Sequence, residues 1–160
     1  MKKILCLIVP IFLLCGCASK TQKITPVTKG LSFNAQIMHY NEAYECNVNI
    51  AKNGDTEVAF SLPENLSGLK VFYSGDSVTA EFKGIKYTAL AQSLPQYSVS
   101  DTIYNIFSTN YTEVFEKNDS YFVNYSGNDG EYKMFIGATG LPIKITSPFS
   151  EAKIKNATIK

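Results

Sequence analysis

Arginine is absent: all 15 basic residues of this 160-residue chain are lysine. Tryptophan is also absent, histidine occurs once (His39) and cysteine four times. Each shortage removes a class of function. Without Arg there is no bidentate grip on phosphate or guanine, and no Lys-rich patch replaces it, so nucleic acid is not an expected partner. The chain has no glycine-rich phosphate loop, no dinucleotide-binding glycine pattern and no serine elbow. Carboxylates such as Glu113 and Glu116, or Asp119 and Asp129, fall in turns and polar rims with nothing in the sequence to shift their pKa values. We therefore expect no catalytic residue, no metal, no cofactor and no enzymatic activity. What the chain does hold is apolar material. It is 45% hydrophobic, with ten Tyr and ten Phe, against 18% charged. That is enough for the core of one domain and excludes wholesale disorder.

The first residues read as an address. Lys2 and Lys3 precede an apolar run of 11 residues, Ile4 to Leu14. A spanning helix needs about 20 apolar residues, so this run is too short for an ordinary membrane anchor. It ends Leu14-Cys15-Gly16-Cys17, which resembles the lipobox of bacterial lipoproteins. The resemblance implies cleavage before Cys17 and attachment of a diacylglyceryl group, with further acylation such as palmitate, to that cysteine. It places residues 1–16 as signal peptide and Cys17 as the lipidation site. The protein is then exported and held on the outer face of the cytoplasmic membrane, or on an outer membrane if the source has one. Several acyl chains on one cysteine anchor without polybasic help. Residues 17–30 read as the lipidated cysteine and a polar tether, and residues 31–160 as the folded domain.

Removal of residues 1–16 leaves 13 Lys against 14 Asp and Glu, a slightly acidic domain. Cys6 and Cys15 leave with the leader and Cys17 takes the lipid. Cys46 then stands alone, and no disulfide within the chain can form. Between Tyr44 and Val48 on an apolar face, it reads as a small buried hydrophobe. The other reading, a Cys46–His39 reactive pair, lacks surroundings that would lower the thiol pKa. One His and one free Cys cannot build a structural zinc site.

From Leu31 the pattern is alternation, apolar then polar, which predicts antiparallel strands. Phe33, Ala35 and Ile37 share one face of a strand over 32–40. Tyr44, Cys46, Val48 and Ile50 share a face of the next. Lys52-Asn53-Gly54 turns the chain, and Thr56, Val58, Phe60 and Leu62 continue that face by parity. Gly75-Asp76 sets Tyr73 opposite Val78, Val71 opposite Ala80, and Lys70 opposite Glu81 as a charge pair. Gly84 reads as a bend, with 85–91 continuing the sheet. After Pro95, Ser98 and Asp101 form a capping signal, and Val99, Ile103, Ile106 and Phe107 form one helical stripe. Tyr125 is set against Tyr132, Val123 against Met134, and Ile143 opposite Met134. Residues 152–159 read as a last, solvated edge strand.

The expected fold is mainly β: a strongly curved, half-barrel-like antiparallel sheet of about eight or nine strands, with one inserted short helix as lid. Glycines at 68, 75, 84, 137 and 140 are expected to help it curve. The leader, the strand run, the mid-chain helix and the late hairpin with Thr139-Gly140-Leu141-Pro142 resemble the outer-membrane lipoprotein-sorting (Lol-type) carriers and their lipoprotein relatives. In that family such a turn joins two late strands. Residues 18–30 depart from it, since they cannot form the amphipathic helix with which those carriers usually begin.

Two functions follow as expectations. The first is a monomeric, membrane-anchored, non-enzymatic lipoprotein that binds an amphiphile, lipid or lipoprotein acyl chains, between sheet and helix. Its groove would be lined by Tyr44, Val48, Phe60, Val71, Tyr73 and Phe82, with Ile103, Ile106 and Phe107 as lid. The same residues, packed on each other, would equally make an ordinary core. The second is a cell-envelope module that contacts protein or glycan, or an extracytoplasmic regulator, with a fully packed core. It would use solvent-side tyrosines such as Tyr87, Tyr97, Tyr104, Tyr111 and Tyr121.

Overall fold

A computed structural model describes residues 24–93, 98–118, 120–127 and 130–160. The leader, Cys17, Tyr97, Asp119 and Asp129 lie outside the described residues.

The alternation produces the strands it predicts. In β1 (Leu31–His39) every second residue is buried, and Leu31, Phe33, Ala35 and Ile37 form one inner face. β2 (Glu42–Ile50) and β3 (Thr56–Leu62) extend that face with Cys46, Val48, Ile50, Val58 and Phe60. β4 (Lys70–Ser74), β5 (Ser77–Phe82) and β6 (Ile85–Leu90) complete the first half. The helix α1 (Val99–Ser108) follows. β7 (Phe115–Lys117), β8 (Ser120–Gly127), β9 (Gly130–Ile136), β10 (Pro142–Thr146) and β11 (Ser150–Ile159) form the second half. All eleven belong to one open antiparallel sheet, ordered β6-β5-β4-β3-β2-β1-β11-β10-β9-β8-β7. Among the described residues the count exceeds the expected eight or nine because Lys83-Gly84 is a turn that makes β6 a strand of its own, and because β7, with only three residues, is too short to show a period.

The ends of the order explain the helix. α1 connects β6 to β7, the two edges of the sheet, so it must cross the inner face. Its ten residues are about 15 Å long. Yet it meets Tyr73 of β4 and shares a cavity with Tyr132 of β9. Those strands are six places apart in the order, about 29 Å in a flat sheet. Both contacts hold only because the sheet curls around the helix.

Several local expectations hold. Tyr73 lies opposite Val78, Val71 opposite Ala80 and Lys70 opposite Glu81. Tyr125 pairs with Tyr132 and Val123 with Met134. Ser98 accepts a hydrogen bond from the Asp101 N–H at 3.2 Å and caps α1. At the other end, Thr109 Oγ1 donates to the Asn105 carbonyl and the Tyr111 hydroxyl to the Ile106 carbonyl, so side chains satisfy the last turn.

Four expectations are corrected. Leu62 is exposed, because the register slips by one residue at Ser61 and sets Leu62 opposite the outward Glu45. Ile145, not Ile143, faces Met134, after a similar slip between Pro142 and Lys144. Glu81 forms its ion pair with Lys86 of β6 at 3.1 Å rather than with Lys70. Finally, β11 is no edge: it lies between β1 and β10 and joins the two halves. Its lysines 153 and 155 take the outer face while Ala152 and Ile154 enter the core. The glycines at 68, 75, 84 and 140 sit in the connections between strands with positive φ. They serve turns rather than kinks within strands.

Candidate functional site

Strand register places the inner face in rows. Residues directly opposite on neighbouring strands point to the same side. One row runs Val58, Val71, Ala80, Tyr87 across β3 to β6. The next begins at Phe60, whose N–H donates to the Leu69 carbonyl, and ends with Phe82 opposite Ile85. Exposure climbs along both rows. Val71 is 6% exposed and Tyr87 68%; Phe60 is 7% exposed and Ile85 75%. The helix covers the Tyr73 row as far as Val78 of β5, which is 2% exposed, and leaves the other two rows open where they cross β5 and β6. What remains is an apolar strip on the inner face that no described residue covers.

The expected groove residues divide accordingly. Val48, Val71 and Tyr73 are buried beneath or beside the helix, as are Ile103, Ile106 and Phe107 on it. Phe60 is buried at the margin, with the half-buried Tyr44 edge-on to its ring at 6.3 Å. Phe82 is half-buried, with Lys83 Nζ 4.9 Å above its ring centroid. Between helix and sheet the packing is dense. A cavity of about 20 Å³ among Ile37, His39, Ile103, Tyr132 and Ile145 has room for about one water and none for a chain. Ile85 and Tyr87 went unrecognised in the sequence as part of the site. The signal was Lys83-Gly84: both residues have positive φ, the signature of a two-residue hairpin turn. Read that way, Gly84 sets Ile85 opposite Phe82 and so onto the inner face.

The helix is held at several points along its length. The Tyr73 hydroxyl donates to Ser100 Oγ at 3.1 Å, and the Tyr104 ring stacks on Tyr73 with centroids 4.5 Å apart. The Tyr104 hydroxyl donates to the Gly75 carbonyl. Farther along, Phe107 packs on Phe33 at 5.2 Å. Burial pushes the Tyr73 hydroxyl pKa up to about 12. The Tyr111 hydroxyl is also raised by burial. Tyr44 is raised by its hydrogen bond to Glu42, and by desolvation as well.

The one thiol among the described residues has no nucleophilic setting. Cys46 is buried opposite Ala35, whereas His39 pairs with Glu42 four residues away along β1, about 13 Å. Burial lifts the Cys46 pKa to about 12, so at neutral pH it stays a thiol. The solvent-side tyrosines do not cluster either. Tyr87 lies exposed on β6, while Tyr104, Tyr111 and Tyr121 are half-buried at separate places.

No family model and no curated protein matches the chain. Solved structures do resemble it. An uncharacterised conserved protein from Thermus thermophilus superposes with a TM-score of 0.54 at 11% identity, covering 84% of this chain and 80% of that one. A LolA superfamily protein from Nitrosomonas europaea does so with a TM-score of 0.49 at 10% identity, covering 86% and 89%. At such identity the likeness is one of fold alone.

Proposed function

We propose that this protein is a membrane-anchored, non-enzymatic lipoprotein that binds an amphiphile on the uncovered inner face of its half-barrel. The observation that carries this reading is the pair of rows ending at Tyr87 and Ile85. From Phe60 to Ile85 the row crosses four strands, a path of about 14 Å. An acyl chain laid there would gain about 0.8 kcal/mol for each methylene it buries. Tyr44, Phe60 and Phe82 with Ile85 and Tyr87 form the contact surface. Val48, Val71 and Tyr73 form its floor and margin, and Ile103, Ile106 and Phe107 hold the sheet open from within. The lipid on Cys17 supplies the anchor, on the outer face of the cytoplasmic membrane or on an outer membrane where one exists. The Thr139-Gly140-Leu141-Pro142 turn, which joins β9 to β10 as in the Lol-type carriers, is in keeping with this reading.

Mass spectrometry of the protein extracted gently from its host tests it. Bound lipid should accompany the wild-type chain and be lost from the Ile85→Glu/Tyr87→Glu double variant. A wild-type domain that carries no lipid, and takes up no fluorescent fatty acid, would refute the proposal.

One observation favours a second reading, a surface for contacting protein. On the outer face Phe115, Phe122 and Phe135 lie opposite one another, with ring centroids 5.5 and 5.8 Å apart. Lys133 reaches over the middle ring. An aromatic ladder left partly exposed at a sheet edge is a contact surface.

A further inference from the structure

The chain enters the domain at one end of the half-barrel, the end where β1 begins. Residues 24–30 lie against it. The Val27 N–H donates to the Gly140 carbonyl at 2.9 Å, and Ile24 and Val27 pack on the core. The Gly30 N–H donates to the Ala51 carbonyl, and the Gly30 carbonyl accepts from Lys160 N–H at 2.7 Å. These bonds gather three lysines at one corner. Lys52 Cγ lies 3.2 Å from where a Gly30 side chain would begin, Lys29 Nζ lies 3.9 Å from the equivalent point on Gly54, and Lys160 Nζ donates to Asn49. Among the described residues none of the three belongs to an ion pair. Asp55 shares the hairpin, with the Asn53 amide donating to its carboxylate, Glu57 lies opposite Asn49, and Asp76 lies in the β4–β5 turn at the same end, three acids against five lysines when Lys20 and Lys23 of the approaching chain are counted. At the opposite end the exposed charges include Glu42, Glu64 and Glu131, with Lys70 and Lys83.

We infer that the Lys29–Lys52–Lys160 corner is a membrane-contact surface that takes the anionic headgroups of the bilayer holding the protein. The inference rests on lipidation at Cys17. Only residues 18–23 then separate the lipid from Ile24, a leash of about 25 Å at full extension. Lys20 and Lys23 lie within it. The far end of the sheet is a further strand away, about 30 Å for nine residues. Attraction to anionic lipid draws the lysine corner down, and the glutamates at the other end are repelled. The domain therefore stands on the membrane with its entry end against the lipid. The open end of the Phe60 row, at Phe82 and Ile85, is then presented away from that bilayer, toward a donor or acceptor in the envelope space.

The test uses the full lipidated chain in phosphatidylglycerol vesicles, labelled with a fluorophore through Asn53→Cys at the near end or Glu64→Cys at the far end. Cys46 is buried and does not compete for the label. Acrylamide should quench the far label at least about twofold more strongly than the near one. The difference should shrink in high salt, in phosphatidylcholine vesicles, and in the Lys29→Glu/Lys52→Glu/Lys160→Glu variant. Equal quenching of the two labels on protein that floats with the vesicles overturns the inference and leaves the anchor standing. If the Cys17→Ser chain floats as well as the wild type, the lipid-anchor reading itself fails, and the inference with it.

Discussion

Tyr73 on β4 and Ser100 on α1 share a buried hydrogen bond of 3.1 Å between their hydroxyls. It ties the start of the helix to β4, next to Val78 of β5, the last fully buried residue of that row. Tyr104, one turn on, stacks on the same ring. Beyond this clamp exposure rises along the inner face, through the half-buried Ala80 and Phe82 to the exposed Tyr87 and Ile85. The pair thus marks the boundary between core and candidate site.

Tyr73→Phe keeps the stacking and removes the bond. It should lower stability by about 0.5–1.5 kcal/mol, since Ser100 retains the Ser98 hydroxyl within 3.4 Å. Tyr73→Ala should cost about 3–5 kcal/mol. Urea unfolding followed by circular dichroism separates the two, and equal losses would show that the hydroxyl bond, not the ring, holds the helix.

The slip at Ser61 separates two neighbours in sequence that alternation alone would treat alike. Phe60→Ala should cost about 3 kcal/mol or more, as expected for a buried aromatic. Leu62→Ser should change stability by no more than about 0.5 kcal/mol, as on any open surface. A large loss at Leu62 would mean that the register runs on unbroken.

Gly140 is the seat of the entering chain. Its φ is 79°, and a methyl group there would collide with the Thr25 carbonyl. Gly75 has a φ of 53° and open space around it. Gly75→Ala should therefore cost about 1 kcal/mol for the backbone alone. Gly140→Ala should cost more and should raise the rate of proteolysis within residues 24–30. Equal losses at the two sites would count against the close approach.

Stability should fall at alkaline pH. Burial raises the Cys46 thiol from an ordinary value of 9.0 to about 12. A raised pKa means that the folded state holds its proton more tightly than the unfolded chain. The contribution is complete below about pH 9 and is lost as pH rises toward 12. Tyr73, raised from 10.0 to about 12, acts in the same direction from pH 10 upward. Unfolding midpoints at about pH 8, 9.5 and 11 measure the slope, and Cys46→Ala should flatten the portion between about 9 and 10. At about pH 8 iodoacetamide should leave Cys46 intact in the folded protein and modify it once the chain is unfolded.

Which face β1 to β5, β8 and β9 turn inward, from Phe33 to Met134, was legible in the residues alone, because side chains alternate with a period of two and only one set is apolar. So was the tight hairpin at Gly75-Asp76, since a two-residue turn leaves no freedom of register, and so was the start of the helix at Ser98. The neighbours of β11 were not: its partner β1 lies more than a hundred residues away and carries no local mark of the pairing. The slip that turns Leu62 outward was hidden as well, since it shifts the ladder by one residue and leaves no change in composition. The division of Val71 into core and Tyr87, in the same row, into surface belongs to three-dimensional packing. Both carry the same apolar character. What separates them is a helix about 15 Å long inside a sheet of eleven strands, which reaches one and stops short of the other.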